Sequence, residues 1–297
     1  MDKMTVENLT RDYGNGKGVF NLSFSIAEGE IFGFLGPNGA GKTTTIRHLT
    51  GFLRPQSGSC SICGYDCRKE SKMIQARLGY IPGEISFFDD MTGDAFLQFI
   101  KKYRGLRYPD RSKELLERFE LDPKGKIRKM SKGMKQKIGI VAAFMHDPEI
   151  LILDEPTSGL DPLMQNRFIT LLEEERKKGK TILLSSHIFE EVERTCHRVA
   201  IIRAGHLVAA DSVASLKASQ TKKFILTFSS ERESERFASA ASNNLQRNGN
   251  RIEIAVHRNF KEFLKMLSQY DITDLSEVNQ SLEEIFMQYY GEVQNAE

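Results

Sequence analysis

Residues 36–43 read Gly-Pro-Asn-Gly-Ala-Gly-Lys-Thr, directly after the apolar run Ile31–Leu35 and directly before the helical stretch TTIRHLTGF. No other feature constrains the chain as much as this order of strand, glycine-rich turn and helix. The glycines let the backbone curl with its N–H groups pointing inward, and the helix N-terminus adds partial positive charge at the same point. The loop Gly36, Pro37, Asn38, Gly39, Ala40, Gly41, Lys42, Thr43, with Thr44 beside it, therefore reads as a cradle for nucleotide phosphates. In such a cradle Lys42 reaches the β- and γ-phosphates and the Thr43 hydroxyl binds Mg²⁺. The alternative, a glycine-rich turn with an incidental lysine, leaves the ordered strand, loop and helix unexplained.

A second motif answers the first. Ile150-Leu151-Ile152-Leu153-Asp154-Glu155 is an apolar strand that ends in adjacent carboxylates, at the sheet edge where open α/β folds bind ligands. Asp154 is the natural partner of the metal, and Glu155 is placed to polarise an attacking water as general base. A merely solvated acidic turn is the alternative, and the phosphate loop argues against it.

From residue 1 to about 218 short apolar strands alternate with amphipathic helices. The runs Ile31–Leu35, Ile150–Leu153, Thr181–Leu184 and Val199–Ile202 predict a buried, mostly parallel sheet. Met4–Asn8 and Leu22–Ile26 alternate as antiparallel strands beside it. Residues 84–144, with AFLQFIKKY and SKELLERFE, predict an all-helical insert. Residues 219–297 change character and predict a small α+β unit: strands at KKFILTF and RIEIAVH, helices at ERFASAASNNLQ, KEFLKMLSQY and SLEEIFMQYY. Cys60, Cys63 and Cys67 have the look of half a zinc site, but the matching pair is missing, so GSCSICGYD reads as a strand and turn with Cys as a small hydrophobe.

Charge and hydropathy narrow the partners. Lys and Arg number 42 against 40 Asp and Glu, a net +2, which gives no basic footprint for nucleic acid. The longest apolar run, Ile138–Met145, falls well short of the roughly 20 residues that cross a bilayer. The opening MDKMTVENLT has no apolar core of a secretory signal, and four cysteines make no disulfide framework. A cytosolic location is expected.

The residues between and after these motifs carry a resemblance. Met130-Ser131-Lys132-Gly133-Met134-Lys135-Gln136 resembles the signature motif of ATP-binding cassette (ABC) proteins, and Ser158-Gly159-Leu160-Asp161 resembles their D-loop. His187 in SSHIFEEVE is similarly placed to the switch histidine, and Tyr13 in RDYG to the aromatic that stacks on adenine. The resemblance covers about residues 3–210. It implies a P-loop NTPase cassette in which two cassettes, either two copies of this chain or this chain with a sister cassette, sandwich two ATP molecules, each loop facing the other protomer's signature. Ser131 and the Gly133 N–H would then bind the γ-phosphate in trans, His187 would hold that phosphate and the attacking water, and Asp161 would link the two sites.

The chain departs from the family pattern at Lys132 and Met134 in the signature. It departs again at Gly83, which stands after Gly79-Tyr80-Ile81-Pro82 where a glutamine is expected. Glu84, the next residue, is the candidate replacement as sensor and metal contact. The resemblance also implies a transmembrane permease as partner, whose docking groove would lie near Phe87, Phe88, Phe96 and Phe99; their helical spacing predicts instead that most of them are core of the insert. SLEEIFMQYY is similar to the extension of ABC-2 type exporters of drugs, antibiotics and peptides, which implies an ATPase bound peripherally at the cytoplasmic face of the membrane. A soluble ribosome- or nucleic-acid-associated regulator and a small-molecule kinase are the alternatives; neither accounts for the motifs as fully.

Overall fold

The computed structural model describes residues 2–88, 90–106, 110–218, 222–241, 245–256, 260–278 and 282–284. The chain divides into two compact units, Met1–Val213 and Ala214–Glu297. Among the described residues no helix is long and apolar enough to cross a membrane.

The first unit begins with an antiparallel hairpin of β1 (Asp2–Gly14) and β2 (Lys17–Ala27), followed by β3 (Ile31–Leu35), α1 (Lys42–Leu49), β4 (Ser57–Ile62) and β5 (Tyr65–Asp66). Next come α2 (Ser71–Gln75), β6 (Leu78–Ile81), α3 (Gly93–Arg104), α4 (Ser112–Arg118) and α5 (Lys132–Phe144). The unit closes with β7 (Ile150–Asp154), α6 (Pro162–Lys177), β8 (Thr181–Ser186), α7 (Phe189–Thr195), β9 (Arg198–Arg203) and β10 (His206–Ser212). Strands β10-β9-β3-β8-β7-β6 form one sheet, parallel except for β10, and β2-β1-β4-β5 form an antiparallel one.

Continuous apolar runs put β3, β7 and β8 in the middle, where every residue of all three is buried. Gly33 in β3 has a packing reason: a Cβ there would lie 2.6 Å from Val192 Cγ1 of α7. Phe24 of β2 stacks between Phe32 and Phe34 of β3 at 5.6 and 5.4 Å, so the two sheets share one core. The helices start where side chains take up their free N–H groups: Thr92 caps α3, Ser131 caps α5, and Asp161 caps α6 with Pro162 at its first position.

The cysteine segment is the strand β4, a turn and the strand β5, with Cys60 and Cys67 buried in the shared core. The insert is helical, but its four phenylalanines are not its core. Leu97 and the stem of Lys101 face inward from α3, whereas Phe88 and Phe99 are exposed and Phe87 and Phe96 half-buried. Thr92 and Gly105 set the limits of α3, and its buried stripe is narrow, so aromatics at helical spacing line the outer edge instead.

The second unit follows α8 (Val213–Ala218) with β11 (Lys222–Phe228), α9 (Glu231–Ala240), β12 (Leu245–Asn248), β13 (Arg251–Val256), α10 (Phe260–Leu267) and β14 (Ile272–Val278). Its sheet runs β12-β13-β11-β14, all antiparallel. The alternation in β11 and β13 buries Phe224, Leu226, Phe228, Ile252 and Ile254 against Phe237, Phe263 and Leu267 of the helices. Two expectations change here. The helix expected across ERFASAASNNLQ ends at Ala240, and Leu245–Asn248 pairs with β13 as a strand; the expected helix at SLEEIFMQYY lies outside the described residues but for 282–284.

Candidate nucleotide site

The loop 36–43 leaves the C-terminal end of β3 and enters α1, with Lys42 as the first helical residue. Its glycines are required by space and by backbone. Gly41 has φ +112°, and a Cβ there would lie 2.8 Å from Val19 Cγ1; a Cβ at Gly36 would lie 2.3 Å from the Ile202 carbonyl oxygen. Beside the loop opens a cavity of about 440 Å³, walled by Pro37, Asn38, Gly39, Gly41, Lys42, Thr43, Thr44, Asp154 and Glu155, with Tyr13, Lys17 and Gly18 on the hairpin side. Tyr13 is half exposed and stacks with the Arg11 guanidinium at 5.3 Å, which leaves a flat aromatic face at the cavity mouth.

Five side chains meet at the inner end. The Lys42 ammonium, itself buried, donates to the Gly36 carbonyl at 2.6 Å and the Pro37 carbonyl at 3.3 Å, and lies 3.3 Å from Glu155 Oε1. Thr43 donates its hydroxyl to Asp154 Oδ2 at 2.8 Å. His187, half exposed, meets Glu155 Oε2 through Nδ1 at 2.6 Å, the ring nitrogen donating to the carboxylate. Glu155 sits in the left-handed region at φ +51°, which turns its carboxylate away from the strand line and between Lys42 and His187.

Parallel pairing explains why Asp154 is rigid. It lies opposite Ser185 of β8, and the Ser185 hydroxyl donates to Asp154 Oδ1 at 2.8 Å, so both carboxylate oxygens are engaged. Ser185 was visible in the sequence only as the first serine of SSH; its role follows from the β7–β8 register. Burial, then the Asp154 carboxylate, push the nearby Tyr80 phenol up to about 12, so it stays protonated.

The segments expected to act in trans lie elsewhere on the same unit and hold each other. Ser131 caps α5 by accepting from the Met134 N–H at 3.2 Å, and a Cβ on Gly133 would lie 2.5 Å from the Gly159 carbonyl oxygen. Gln136, buried, donates to the Pro156 carbonyl at 2.7 Å. Asp161 caps α6, accepting from the Met164 N–H at 3.0 Å. The signature and D-loop segments are thus in contact, and neither Ser131 nor Asp161 lines this chain's own cavity. Gly83 does reach the site: a Cβ on it would lie 3.1 Å from Asp154 Oδ2. Glu84 is exposed and does not line the cavity, so the sensor role expected of it has no support in its placement.

The donor set fits a nucleotide with a hard cation. Thr43 and Asp154 offer a hydroxyl and a carboxylate side by side, the oxygen ligands Mg²⁺ takes, while inward N–H groups and Lys42 suit phosphates.

Comparison with known proteins agrees with this geometry. Residues 19–158 match the ABC transporter family. The linearmycin resistance ATP-binding protein of Bacillus subtilis is 40% identical over 211 residues, 69% of this chain and 68% of that protein. The bacitracin transport ATP-binding protein of Bacillus licheniformis is 42% identical over 68% of this chain and 67% of that protein. An uncharacterised ABC transporter ATP-binding protein of Bacillus subtilis is 32% identical over 97% of this chain and 96% of its own length, both units included. Among solved structures, an ATP binding subunit of an ABC transporter superposes with a TM-score of 0.67 at 32% identity, over 72% of this chain and 92% of that one. A cassette in a dimeric post-hydrolysis state with ADP and Pi shares the fold, with a TM-score of 0.63 at 23% identity over 71% of this chain and 98% of that one. Likeness of this extent, on a chain whose phosphate loop and strand-end acids meet in one cavity, makes it a member of the ABC transporter family: an ATP-binding, ATP-hydrolysing subunit.

Proposed function

We propose that this chain hydrolyses ATP with Mg²⁺ as the energy-coupling subunit of an exporter, working in a pair of cassettes on a membrane permease at the cytoplasmic face. The observation that carries the reading is the convergence of Lys42, Thr43, Asp154 and Glu155 on one cavity, with His187 bonded to Glu155 beside it, from three separate stretches of chain.

The backbone amides of 36–43 and Lys42 bind the phosphates, and Tyr13 takes the base at the mouth. Thr43 and Asp154 hold Mg²⁺, which supplies charge neutralisation to the phosphates when bound. Glu155 accepts a proton from the attacking water, and His187, hydrogen-bonded to it, fixes the direction of that carboxylate. Ser131 and Gly133 are presented to the second cassette's nucleotide, with Asp161 at the same face. Closure transmits free energy only because ATP binds the closed pair better than the open one.

An aromatic patch supports docking of a membrane partner. Phe88, Phe99 and Tyr103 form a ladder, Phe88 edge-on to Phe99 at 5.6 Å and Phe99 stacked on Tyr103 at 6.3 Å, and Tyr103 is 82% exposed. Exposed, mutually ordered aromatics on a helical insert are the kind of surface that a partner covers. The names of relatives, which concern linearmycin resistance, bacitracin transport and Nod factor export, support export of an antibiotic, drug or amphipathic peptide.

The test is gentle membrane extraction followed by pull-down through this chain, native and Glu155→Gln, with ATP. A multi-span protein that co-purifies, more of it with Glu155→Gln, is expected; ribosomes or soluble proteins alone would overturn the exporter reading. ATP turnover by the native chain, lost by at least about 100-fold in Glu155→Gln with binding retained, checks the chemistry.

A further inference from the structure

Glu191 is a buried carboxyl that the proposed mechanism leaves without a task. It lies in α7, is 7% exposed, and stands under the turn that carries His187. Its Oε2 accepts the Ser186 hydroxyl at 2.7 Å, and the Ser186 Oγ in turn accepts the Ile188 N–H at 3.0 Å. The residues on both sides of His187 are therefore tied to one oxygen of one side chain. The other oxygen, Oε1, is sealed from solvent with no well-formed hydrogen bond, and Thr157, in the turn that follows Glu155, directs its hydroxyl at the same carboxyl.

A side chain in this place is expensive to keep. A carboxyl taken out of water is destabilising if charged, and still so if one of its polar atoms is left unpaired. An apolar residue would fill α7 at no such cost, as Val192 does next to it. Burial raises the Glu191 carboxyl, with the Glu155 carboxylate adding to it; the Ser186 and Thr157 hydroxyls and His187 act in the opposite sense, and burial prevails. The neutral acid therefore gains weight, and a neutral acid can accept from Ser186 while offering its proton to Thr157.

We propose that Glu191 is the positioning residue of the ATPase site: it clips the Ser186–His187–Ile188 turn to the Pro156–Thr157 turn, and so fixes the His187 imidazole against Glu155. It touches neither nucleotide nor water. Its effect passes through His187, whose 2.6 Å bond to Glu155 requires the two turns to keep their spacing. The proposal rests on the ATPase reading above and deepens it.

The experiment compares Glu191→Gln, Glu191→Ala and Ser186→Ala with the native chain. Turnover and KM for ATP are measured, nucleotide affinity is titrated separately, and the imidazole of His187 is followed by long-range ¹H–¹⁵N spectra of histidine-labelled protein. Glutamine keeps an acceptor for Ser186 and a donor for Thr157 without charge. Glu191→Gln is expected to stay within about threefold of native turnover, and Glu191→Ala and Ser186→Ala to lose about tenfold or more with affinity changed less than twofold. In the latter two the His187 ring signals move toward those of a solvated imidazole.

Native turnover and an unmoved His187 signal in Glu191→Ala would overturn the proposal, and so would a Glu191→Gln variant as impaired as the alanine. If Glu191→Ala fails to fold, Ser186→Ala decides, because it deletes one hydroxyl and nothing else. If the native chain itself turns over no ATP, the proposed function fails, and the ring signals of His187 still decide the positioning claim.

Discussion

Glu175 offers a test of what ties the helical insert to the sheet. It lies in α6 with its side chain wholly buried, and Arg111, at the head of α4, grips it with two bonds of 2.8 and 3.1 Å. Lys178 lies 3.0 Å away, and Lys180, just before β8, bridges Glu175 and Asp147. Burial by itself would raise the Glu175 carboxyl, but the hydrogen bonds from Arg111, Lys180 and Lys178 outweigh it and bring it from 4.5 down to about 2. A carboxyl lowered on folding stabilises the fold fully above its unfolded value and loses that contribution as pH falls through the folded one. The difference corresponds to about 3 kcal/mol near neutral pH, less than half of that at about pH 3, and nothing below about pH 1.

Glu175→Gln keeps the shape and removes the charge, leaving buried cations under-paired. It should cost about 3 kcal/mol near neutral pH, within the range for breaking a buried ion network. The gap from the native chain should narrow by about 2 kcal/mol near pH 3. Urea unfolding followed by far-UV circular dichroism reads it, since the chain has no tryptophan, and the transition that ATP shifts is the cassette's. A loss under about 1 kcal/mol, or one equal at both pH values, would refute the assignment of this stability to the carboxylate.

Other expectations follow from single contacts. Gln136→Leu strands the buried Pro156 carbonyl and should lower stability by about 1–3 kcal/mol, read by thermal unfolding; an unchanged midpoint would mean that water or a shifted backbone replaces the bond. Gly41→Ala meets both a forbidden φ and the Val19 methyl, so equilibrium titration with ATP should show affinity lost by more than about tenfold. Glu84→Ala should leave ATP turnover within about twofold, because Glu84 stands clear of the cavity; a loss of about tenfold would return it to the site as the stand-in for the missing glutamine.

What the sequence made legible is what is written in consecutive residues. The loop at 36–43 needs a strand before it and a helix after it, and both are apolar patterns of ordinary strength. β7 and β8 declare themselves because strands buried on both faces read as unbroken apolar runs. β10 and β14 do not, since none of their residues is buried and their partners, not their composition, make them strands. The short β6, though mostly buried, hides because four residues are too few to show a period. Around the site, Asp154, Glu155 and His187 carry motifs, but Ser185 and Gln136 act through groups 20 or more positions away, on Asp154 and Pro156. Helical spacing predicts a core place for Phe88 and Phe99, which are exposed, because periodicity tells which residues share a helix face and not whether that face is covered.

The φ of +51° at Glu155 bears on how the genetics of this position should be read. Left-handed backbone disfavours β-branched residues strongly, tolerates Asn and Asp, and suits glycine. A saturation library at residue 155 therefore mixes two kinds of dead clone: those that lack a proton acceptor, and those whose backbone refuses the turn and drags Thr157 and Gly159 with it. Valine or threonine there would report on geometry, and only glycine, asparagine and glutamine would isolate the chemistry. A threonine clone that regains activity through a second mutation in the 156–160 turn would be repairing a bend, not a base.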